Sequence, residues 1–404
     1  MKIRPEIRFN EFTEEIPLVP MAELGNFIGG GTPDKEVQGY WEGDIPWISS
    51  SDIEADNVDS INVSRHITEQ ALKESATKLI PANSLLFVSR VGVGKLAVNK
   101  TALCTSQDFT NFTPTDMAPR YVAYFFQKNR NLLNRYSQGT SIKGLTSAEI
   151  KKIKITVPNP VEQQKIADFF TAVDKKISLL TEKHALLEKY KKGVVQKLFK
   201  QEIRFKDDSG SDFPSWQSLG FGEVFERITR KNKEDNQNVL TISAQVGLVN
   251  QEKYFNKSVS AKDLTGYYLL ENGDFAYNKS YSKGYPMGAI KRLNNYDKGV
   301  VSTLYICFRV VGDQEPLFWE QFFEAGQLNR EINKIAQEGA RNHGLLNVSV
   351  TEFFNDIEVP VPSRAEQRKI SDFLRVLDRK LDAVKQQIEL TQTFKKGLLQ
   401  QMFV

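Results

Sequence analysis

Glu162-Gln163-Gln164-Lys165-Ile166-Ala167-Asp168-Phe169 returns later in the chain as Glu366-Gln367-Arg368-Lys369-Ile370-Ser371-Asp372-Phe373. From these openings the two segments align without a gap to Phe199 and Phe403. They share about fourteen identities in thirty-eight positions, among them Asp174/Asp378, Lys192/Lys396, Gly193/Gly397 and Gln196/Gln400. Outward from them the doubling persists. Ile153, Ile155 and Val157 alternate before the first segment, and Ile357, Val359 and Val361 before the second, with the period of a strand. Glu6-Ile7-Arg8-Phe9 recurs as Glu202-Ile203-Arg204-Phe205, and Gly25-Asn26-Phe27 has a counterpart near Gly222-Glu223-Val224-Phe225. Gln138-Gly139-Thr140 is echoed by Glu338-Gly339-Ala340, and Gly144-Leu145 by Gly344-Leu345. Between these landmarks, roughly over 28–137 and 226–337, identity all but vanishes. A variable region and a repeated region therefore alternate twice, which is the signature of a tandem duplication.

Each repeated segment predicts a long helix. Asn159-Pro160-Val161-Glu162 and Ser363-Arg364-Ala365-Glu366 read as capping boxes, with the glutamate reaching back to the cap. Apolar positions then step by four and three. They are Ile166, Phe170, Val173, Ile177, Leu180, His184, Leu187, Lys191, Val194 and Leu198 in the first copy. In the second they are Ile370, Leu374, Leu377, Leu381, Val384, Ile388, Thr391, Lys395, Leu398 and Met402. A seam of about five heptads predicts a coiled coil, and 1.5 Å per residue makes a rod of about 57 Å. Lys191, Lys395 and Thr391 interrupt the seam and should weaken it. Gly193 and Gly397 each cost about 1 kcal/mol inside a helix, so their shared position implies either close backbone approach or a helix end. If a pseudo-two-fold axis relates the halves, the rods pack antiparallel with one globular unit at each end. The plainer reading is a coiled coil that only dimerises.

The 404 residues are 40% hydrophobic and 26% charged, which fits a soluble globular chain of two to four domains. The expected division is 1–157, 158–200, 201–361 and 362–404, with variable units at 1–157 and 201–361 and helical spacers after each. A net charge of +4 permits a nucleic-acid partner without establishing one. Two cysteines, Cys104 and Cys307, make no disulfide framework and fit a reducing cytoplasm. The first residues hold no apolar signal core, and no run is long enough for a membrane span.

The variable units are rich in strand and turn signals. In the first, Gly29-Gly30-Gly31-Thr32-Pro33 precedes Tyr40-Trp41-Glu42-Gly43-Asp44-Ile45-Pro46-Trp47-Ile48 and the hydroxyl run Ser49-Ser50-Ser51-Asp52. Ser84-Leu85-Leu86-Phe87-Val88-Ser89-Arg90-Val91-Gly92-Val93-Gly94-Lys95 reads as a buried strand entering a glycine-rich turn that carries Arg90 and Lys95. The second unit has an analogous stretch, Gly273 to Pro286, in which Asn278, Lys279, Tyr281 and Lys283 interleave cations, hydroxyls and aromatics. Such a loop offers Lys279 and Lys283 to phosphates and Asn278 to a base edge. Tyr40, Trp41, Ser50, Arg90, Lys95 and Lys143 are the DNA-contact candidates of the first unit. Arg230, Lys231, Asn278, Lys279, Tyr281, Lys283, Arg341, Asn342 and His343 are those of the second. Singly, each reads as well as part of a solvated polar loop; as a set they favour DNA contact.

Catalytic chemistry is not legible. Val91-Gly92-Val93-Gly94-Lys95-Leu96 fails as a phosphate loop, because Ser89 stands where its first glycine belongs and Leu96 replaces the magnesium-binding hydroxyl. No Asn-Pro-Pro-aromatic or Asp-Pro-Pro-Tyr tetrapeptide of an amino-methyltransferase is present, and three scattered histidines make a zinc site unexpected. His184 falls on the heptad seam as a polar seam residue. Glu149-Ile150-Lys151 has nuclease-like spacing but no acidic partner, and reads better as a strand edge beside the linker. The expectation is a non-catalytic protein without a cofactor or metal of its own.

Together these features resemble the specificity subunits of Type I restriction–modification systems. The resemblance rests on the alternating regions, the openings Val-Pro-x-Pro…Glu-Gln-x-Lys-Ile-x-Asp-Phe, the endings Lys-Lys-Gly-x-x-Gln-x-x-Phe, and the Tyr40–Trp47 run. It covers essentially the whole chain. It implies an α+β protein with two mixed α/β target-recognition domains joined by two long helices in an antiparallel coiled coil, arranged as a pseudo-two-fold internal repeat. It further implies that each recognition domain reads one half of a bipartite, asymmetric site in double-stranded DNA. Glu162–Phe199 and Glu366–Phe403 would then set the spacing and dock two modification (methyltransferase) subunits. S-adenosylmethionine, ATP and magnesium would belong to partner subunits, including the motor-nuclease restriction subunits. A rod of about 57 Å exceeds one DNA turn of about 34 Å, so two readers could meet one face of a duplex about a turn apart. The competing expectations are a coiled-coil scaffold for protein partners, which would not bind DNA by sequence, and a self-contained methyltransferase or nuclease with divergent motifs.

Overall fold

The computed structural model describes residues 4–130, 133, 144–256, 260, 263–336 and 346–403. The echoes around Gly139 and Gly339, and the candidates Lys143, Arg341, Asn342 and His343, lie outside the described residues. The chain forms two compact units, Met1–Lys183 with Val384–Val404, and His184–Ala383. Each unit thus takes part of both long helices, Pro160–Phe199 and Arg364–Met402.

The first unit contains β1 (Leu18–Pro20), β2 (Gly25–Gly29), β3 (Ile45–Ile48), β4 (Arg65–Ile67), β5 (Leu79–Ile80), β6 (Leu85–Val88), β7 (Leu96–Val98), β8 (Leu103–Thr105), β9 (Phe109–Pro114) and β10 (Lys154–Thr156). They pair as β2-β9-β6-β7, β4-β3-β8-β5 and β1-β10. The second unit contains β11 (Gln217–Gly220), β12 (Phe225–Arg227), β13 (Leu240–Ser243), β14 (Gly247–Asn250), β15 (Tyr268–Glu271), β16 (Phe275–Asn278), β17 (Ala289–Arg292), β18 (Lys298–Val301), β19 (Ile306–Val310) and β20 (Glu358–Val361). Their order is β12-β19-β16-β17, β14-β13 beside β18-β15, and β11-β20; a parallel bridge from Val239 to Val300 ties the two middle pairs together. Each strand of the first unit therefore has a counterpart ten numbers on, in the same order, with the β3–β8 pairing reduced to the single Val239–Val300 bridge in the second unit. The regions without sequence identity are duplicates in topology.

The pattern of burial explains how this is possible. β6 is buried on both faces, as is Phe275–Tyr277 of β16, because helices and neighbouring strands cover both sides. The helix Pro119–Lys128 packs Tyr121, Tyr124, Phe125 and Phe126 into the core of the first unit. Pro316–Glu324 does the same in the second with Phe318, Trp319, Phe322 and Phe323. Both begin with proline at the first helical turn, where its missing N–H is harmless. What is duplicated here is aromatic volume at helical spacing rather than residue identity.

The long helices follow the predicted seam: every seam position is buried or half-buried. In the first unit the pairing is antiparallel, with the Phe170 and Phe403 rings 5.9 Å apart and Asp174 against Lys395. In the second, Val195, Leu198 and Phe199 share a core with Ile370, Leu374 and Leu377.

Four local readings are corrected. Asn159 Oδ1 and Ser363 Oγ accept the Glu162 and Glu366 N–H groups at 2.9 and 3.4 Å, but neither glutamate reaches back to complete a capping box. Each is almost fully buried and turned to the arginine of the repeated Glu-Ile-Arg-Phe segment. Arg8 Nε and Nη2 hold Glu162 at 2.7 Å each, and Arg204 Nε and Nη2 hold Glu366 at 3.0 and 2.7 Å. A two-pronged charged hydrogen bond outweighs a neutral cap. The adjacent glutamines are also buried. Gln163 accepts the Ala118 N–H and donates to the Pro158 carbonyl, while Gln367 accepts the Glu315 N–H and donates to the Pro362 carbonyl. Each Glu-Gln pair therefore pins the entering segment, the strand end and the aromatic helix of its own unit.

The seam lysines are not breaks. Lys395 Nζ lies 2.6 Å from Asp174 Oδ1, both side chains 8% exposed, and Tyr124 Oη donates to Asp174 Oδ2 at 2.9 Å. Burial raises the Asp174 pKa and lowers that of Lys395, each effect opposed by the partner's charge. Lys191 and Asp378 repeat the pair at 2.5 Å with more exposure, and Gln321 takes the place of Tyr124. Glu149-Ile150-Lys151 is helix, not strand edge: Thr146 and Glu149 form a reciprocal capping box on Ser147–Lys152, and Ile150 is buried. Finally, Gly193 and Gly397 sit inside their helices, and a Cβ at either would meet nothing within 4 Å. Neither a helix end nor crowding by the described part of this chain accounts for them.

Candidate nucleic-acid interface

In each unit three loops emerge at one end of the four-stranded sheet. Antiparallel pairing of β6 with β9 sets Val88 opposite Phe109, which brings the turn after β6 beside the turn before β9. Ser89 and Arg90 N–H both donate to the Asp108 carbonyl, at 2.8 and 3.1 Å. The Ser106 N–H donates to Ile48 at the end of β3, adding the loop 49–53 to the cluster. In the second unit Tyr277 lies opposite Ile306, so the loop 279–288 meets the turn before β19. The Tyr305 hydroxyl lies 3.3 Å from Thr241 Oγ1, on β13. A backbone segment closes each cluster: the Leu145 N–H donates to Ser89 and the Leu346 N–H to Lys279, at 2.8 and 3.0 Å. The two stretches of the variable units that resembled each other as sequences thus occupy the same topological position.

Their surfaces differ. The first loop turns through Gly92 and Gly94 at φ of +103° and +95°, conformations that suit glycine, and presents Arg90 and Val91 to solvent. The second presents Tyr281 and Lys283, with Lys279 half-buried, and is flanked by exposed Val246 and Leu304. Among the described residues Arg90, Lys279 and Lys283 make no ion pair, leaving their charges available to phosphate. Asn278 Oδ1 accepts the Ser280 N–H at 3.1 Å, so its amide shapes the turn while its N–H donors stay open among the described residues. Val246, Tyr281 and Leu304 offer apolar contact of the kind a thymine methyl accepts. Sequence reasoning passed over Gln245, Val246 and Leu304; the turn signal Val246-Gly247 was the available clue.

Other candidates are placed differently. Ser50 is in the cluster, and its carbonyl accepts the Lys95 ammonium at 3.1 Å. Tyr40 and Trp41 pack around Trp47, with the Tyr40 hydroxyl on Glu74 and the Trp41 indole N–H on the Asp34 carbonyl. Arg230 lies against β15, paired with Glu271 at 3.1 Å and Asp274 at 3.4 Å. Lys231 donates to the Gly266 carbonyl at 2.8 Å and covers the Tyr268 ring. These four side chains are engaged within their own unit.

Residues 14–189 match the family model described as the Type I restriction modification DNA specificity domain. The chain is 28% identical over 316 residues to the MjaIX specificity subunit of Methanocaldococcus jannaschii, covering 71% of this chain and 68% of that protein. It is 34% identical over 176 residues to the EcoR124I/EcoR124II specificity subunit of Escherichia coli, covering 42% and 43%. The fold matches the crystal structure of the S subunit from M. genitalium with a TM-score of 0.60 over 100% of this chain and 99% of that one, at 16% identity. By sequence the chain is similar to the specificity subunits of Type I restriction–modification systems. Members of this family are DNA-recognition subunits and not catalysts. A second structure, from work on assembly of the Type I system, aligns with a TM-score of 0.52 over 95% of this chain at 13% identity.

Proposed function

We propose that this specificity subunit reads a bipartite, asymmetric DNA site, one half with each unit, through the loop clusters around 89–95 and 279–288. The observation that carries the reading is the duplication of one loop cluster on one sheet topology with different exposed side chains. Equal scaffolds with unequal tips favour two unequal half-sites. The paired helices set the separation and dock two modification subunits. That docking is supported by a stripe repeated on each helix: Leu186, Tyr190 and Gly193, and Leu390, Phe394 and Gly397, at i, i+4 and i+7. Leu186 and Leu390 are 59% and 62% exposed, a state costly to leave uncovered. The second stripe borders a groove of about 500 Å³ with Phe169, Ala172, Val173 and Lys176. S-adenosylmethionine, ATP and magnesium belong to the modification and restriction partners. Among the described residues no helix is long and apolar enough to cross a membrane, and a cytoplasmic complex is the proposed setting.

Co-expression with a Type I modification subunit, followed by single-molecule mapping of adenine methylation, tests the proposal. A two-part motif with a fixed gap that appears only with this chain is the expected result. Random or absent methylation from an assembled complex would overturn it. At the level of residues, Lys279→Ala or Lys283→Ala should weaken binding to all duplexes alike and lower the slope of log K against log salt by about one. Asn278→Ala should relax preference at a single base pair by about 1–3 kcal/mol. Titrations in which all three variants bind like the parent would remove this turn from the reader.

A further inference from the structure

Two hydrogen bonds at equivalent places in the duplicated fold have opposite direction and the same effect. In the first unit the Lys95 ammonium, at the end of the β6–β7 loop, donates to the Ser50 carbonyl in the loop after β3, at 3.1 Å. In the second, Gln245 Nε2, in the turn after β13, donates to the Lys283 carbonyl in the β16–β17 loop, also at 3.1 Å. The donor sits on one loop in one unit and on the other loop in the other. No residue is shared between the two solutions, so inheritance of a side chain does not account for them. What is kept is the junction itself.

One loop at each junction is anchored on its far side. Ser49 and Asp52 form a reciprocal cap over the turn 50–52, and Arg65 donates to Ser49 Oγ at 2.7 Å while lying over the Trp47 ring. In the second unit Ser282 and Tyr285 close a tight turn, and the Tyr285 ring is held by Lys291 and Glu324. The exposed tips Val91, Tyr281 and Val246 lie within a few residues of the junctions. A contact to a base edge tolerates only a small displacement, so the cross-link between the loops sets where the tips stand.

We propose that Lys95 and Gln245 are positioning residues, each locking two reading loops of its own unit together, and that neither contacts DNA itself. This rests on the reading of the chain as a DNA specificity subunit. Lys95→Met keeps the length and removes the donor; Lys95→Arg keeps a donor; Gln245→Glu keeps the shape and removes the N–H.

The experiment uses the chain assembled with its modification subunit. It measures the methylated motif, and affinities for duplexes altered in one half-site or the other, across a salt series. Lys95→Met should lower discrimination at the half-site read by the first unit about tenfold, leave the other half-site unchanged, and leave the salt slope unchanged. Lys95→Arg should restore it. Gln245→Glu should relax the opposite half-site, and hydrogen exchange should quicken in 89–95 or 279–288 respectively. A Lys95→Met slope lower by about one, with equal weakening on every sequence, would mean a phosphate contact and overturn the proposal. So would a Gln245→Glu complex that exchanges one preferred base for another, since that marks a direct base contact. Variants with a sharp parental motif overturn it as well. A parental complex with no bipartite motif instead defeats the specificity reading on which the proposal stands.

Discussion

Lys395→Met should lower the unfolding free energy by about 3–5 kcal/mol, because it strands a buried carboxylate. Asp174 keeps the Tyr124 hydroxyl at 2.9 Å but loses the only cation in contact with it among the described residues. Burial already pushes its pKa upward, and without Lys395 protonation becomes its escape. Asp174→Leu with Lys395→Met should recover most of the loss, since apolar groups of similar volume need no counter-charge. The related pair is the internal control. Lys191 and Asp378 are 21% and 36% exposed, so water can take over, and Lys191→Met should cost about 1 kcal/mol. Urea titration of these three variants beside the parent measures all of these. Equal losses at Lys395 and Lys191 would show that burial does not govern the pair.

Leu186→Lys with Leu390→Lys should abolish co-purification of the modification subunit and remove site-specific methylation in cells, with little change in thermal stability. Both leucines are more than half exposed, so the folded chain gives up little by the exchange. A bound partner would have to bury two ammonium groups without counter-charges, which costs several kcal/mol at each site and exceeds what most interfaces can spare. Gly193→Ala and Gly397→Ala form a gentler series. Alanine raises helix propensity by about 1 kcal/mol, and the open space around both positions accommodates a methyl group. These two variants should therefore stabilise the free chain while weakening assembly. Retained assembly in the leucine double variant would place the docking surface elsewhere.

The duplication, the helix pair and the absence of a legible active site could be read directly from residues. The reason is that helix seams and caps are short-range: Ile166 to Leu198 and Ile370 to Met402 declare themselves by spacing alone. The strand entering a glycine turn at Leu85–Gly94 was equally plain, since a buried apolar run followed by glycines has few alternatives. The sites were less legible. Arg230 and Lys231 looked like free cations, yet they are spent on Glu271, Asp274, Gly266 and Tyr268. Tyr40 and Trp41 looked like reading residues and are packed around Trp47. A charge or a ring in a turn carries no mark of which way it faces.

By itself the sequence determined that two copies of one plan exist and that long helices follow each variable region. Local periodicity and repetition suffice for that. Only the tertiary structure decided that the variable regions share one strand arrangement, because a fold is held by where apolar volume is buried. Tyr124-Phe125-Phe126 and Gln321-Phe322-Phe323 can supply that volume from unlike surroundings. It also decided that Glu162 serves Arg8 rather than its cap, and that Lys395 is a buried partner rather than a break in the seam. Those outcomes depend on groups far apart in the chain, whose charges compete once water is excluded.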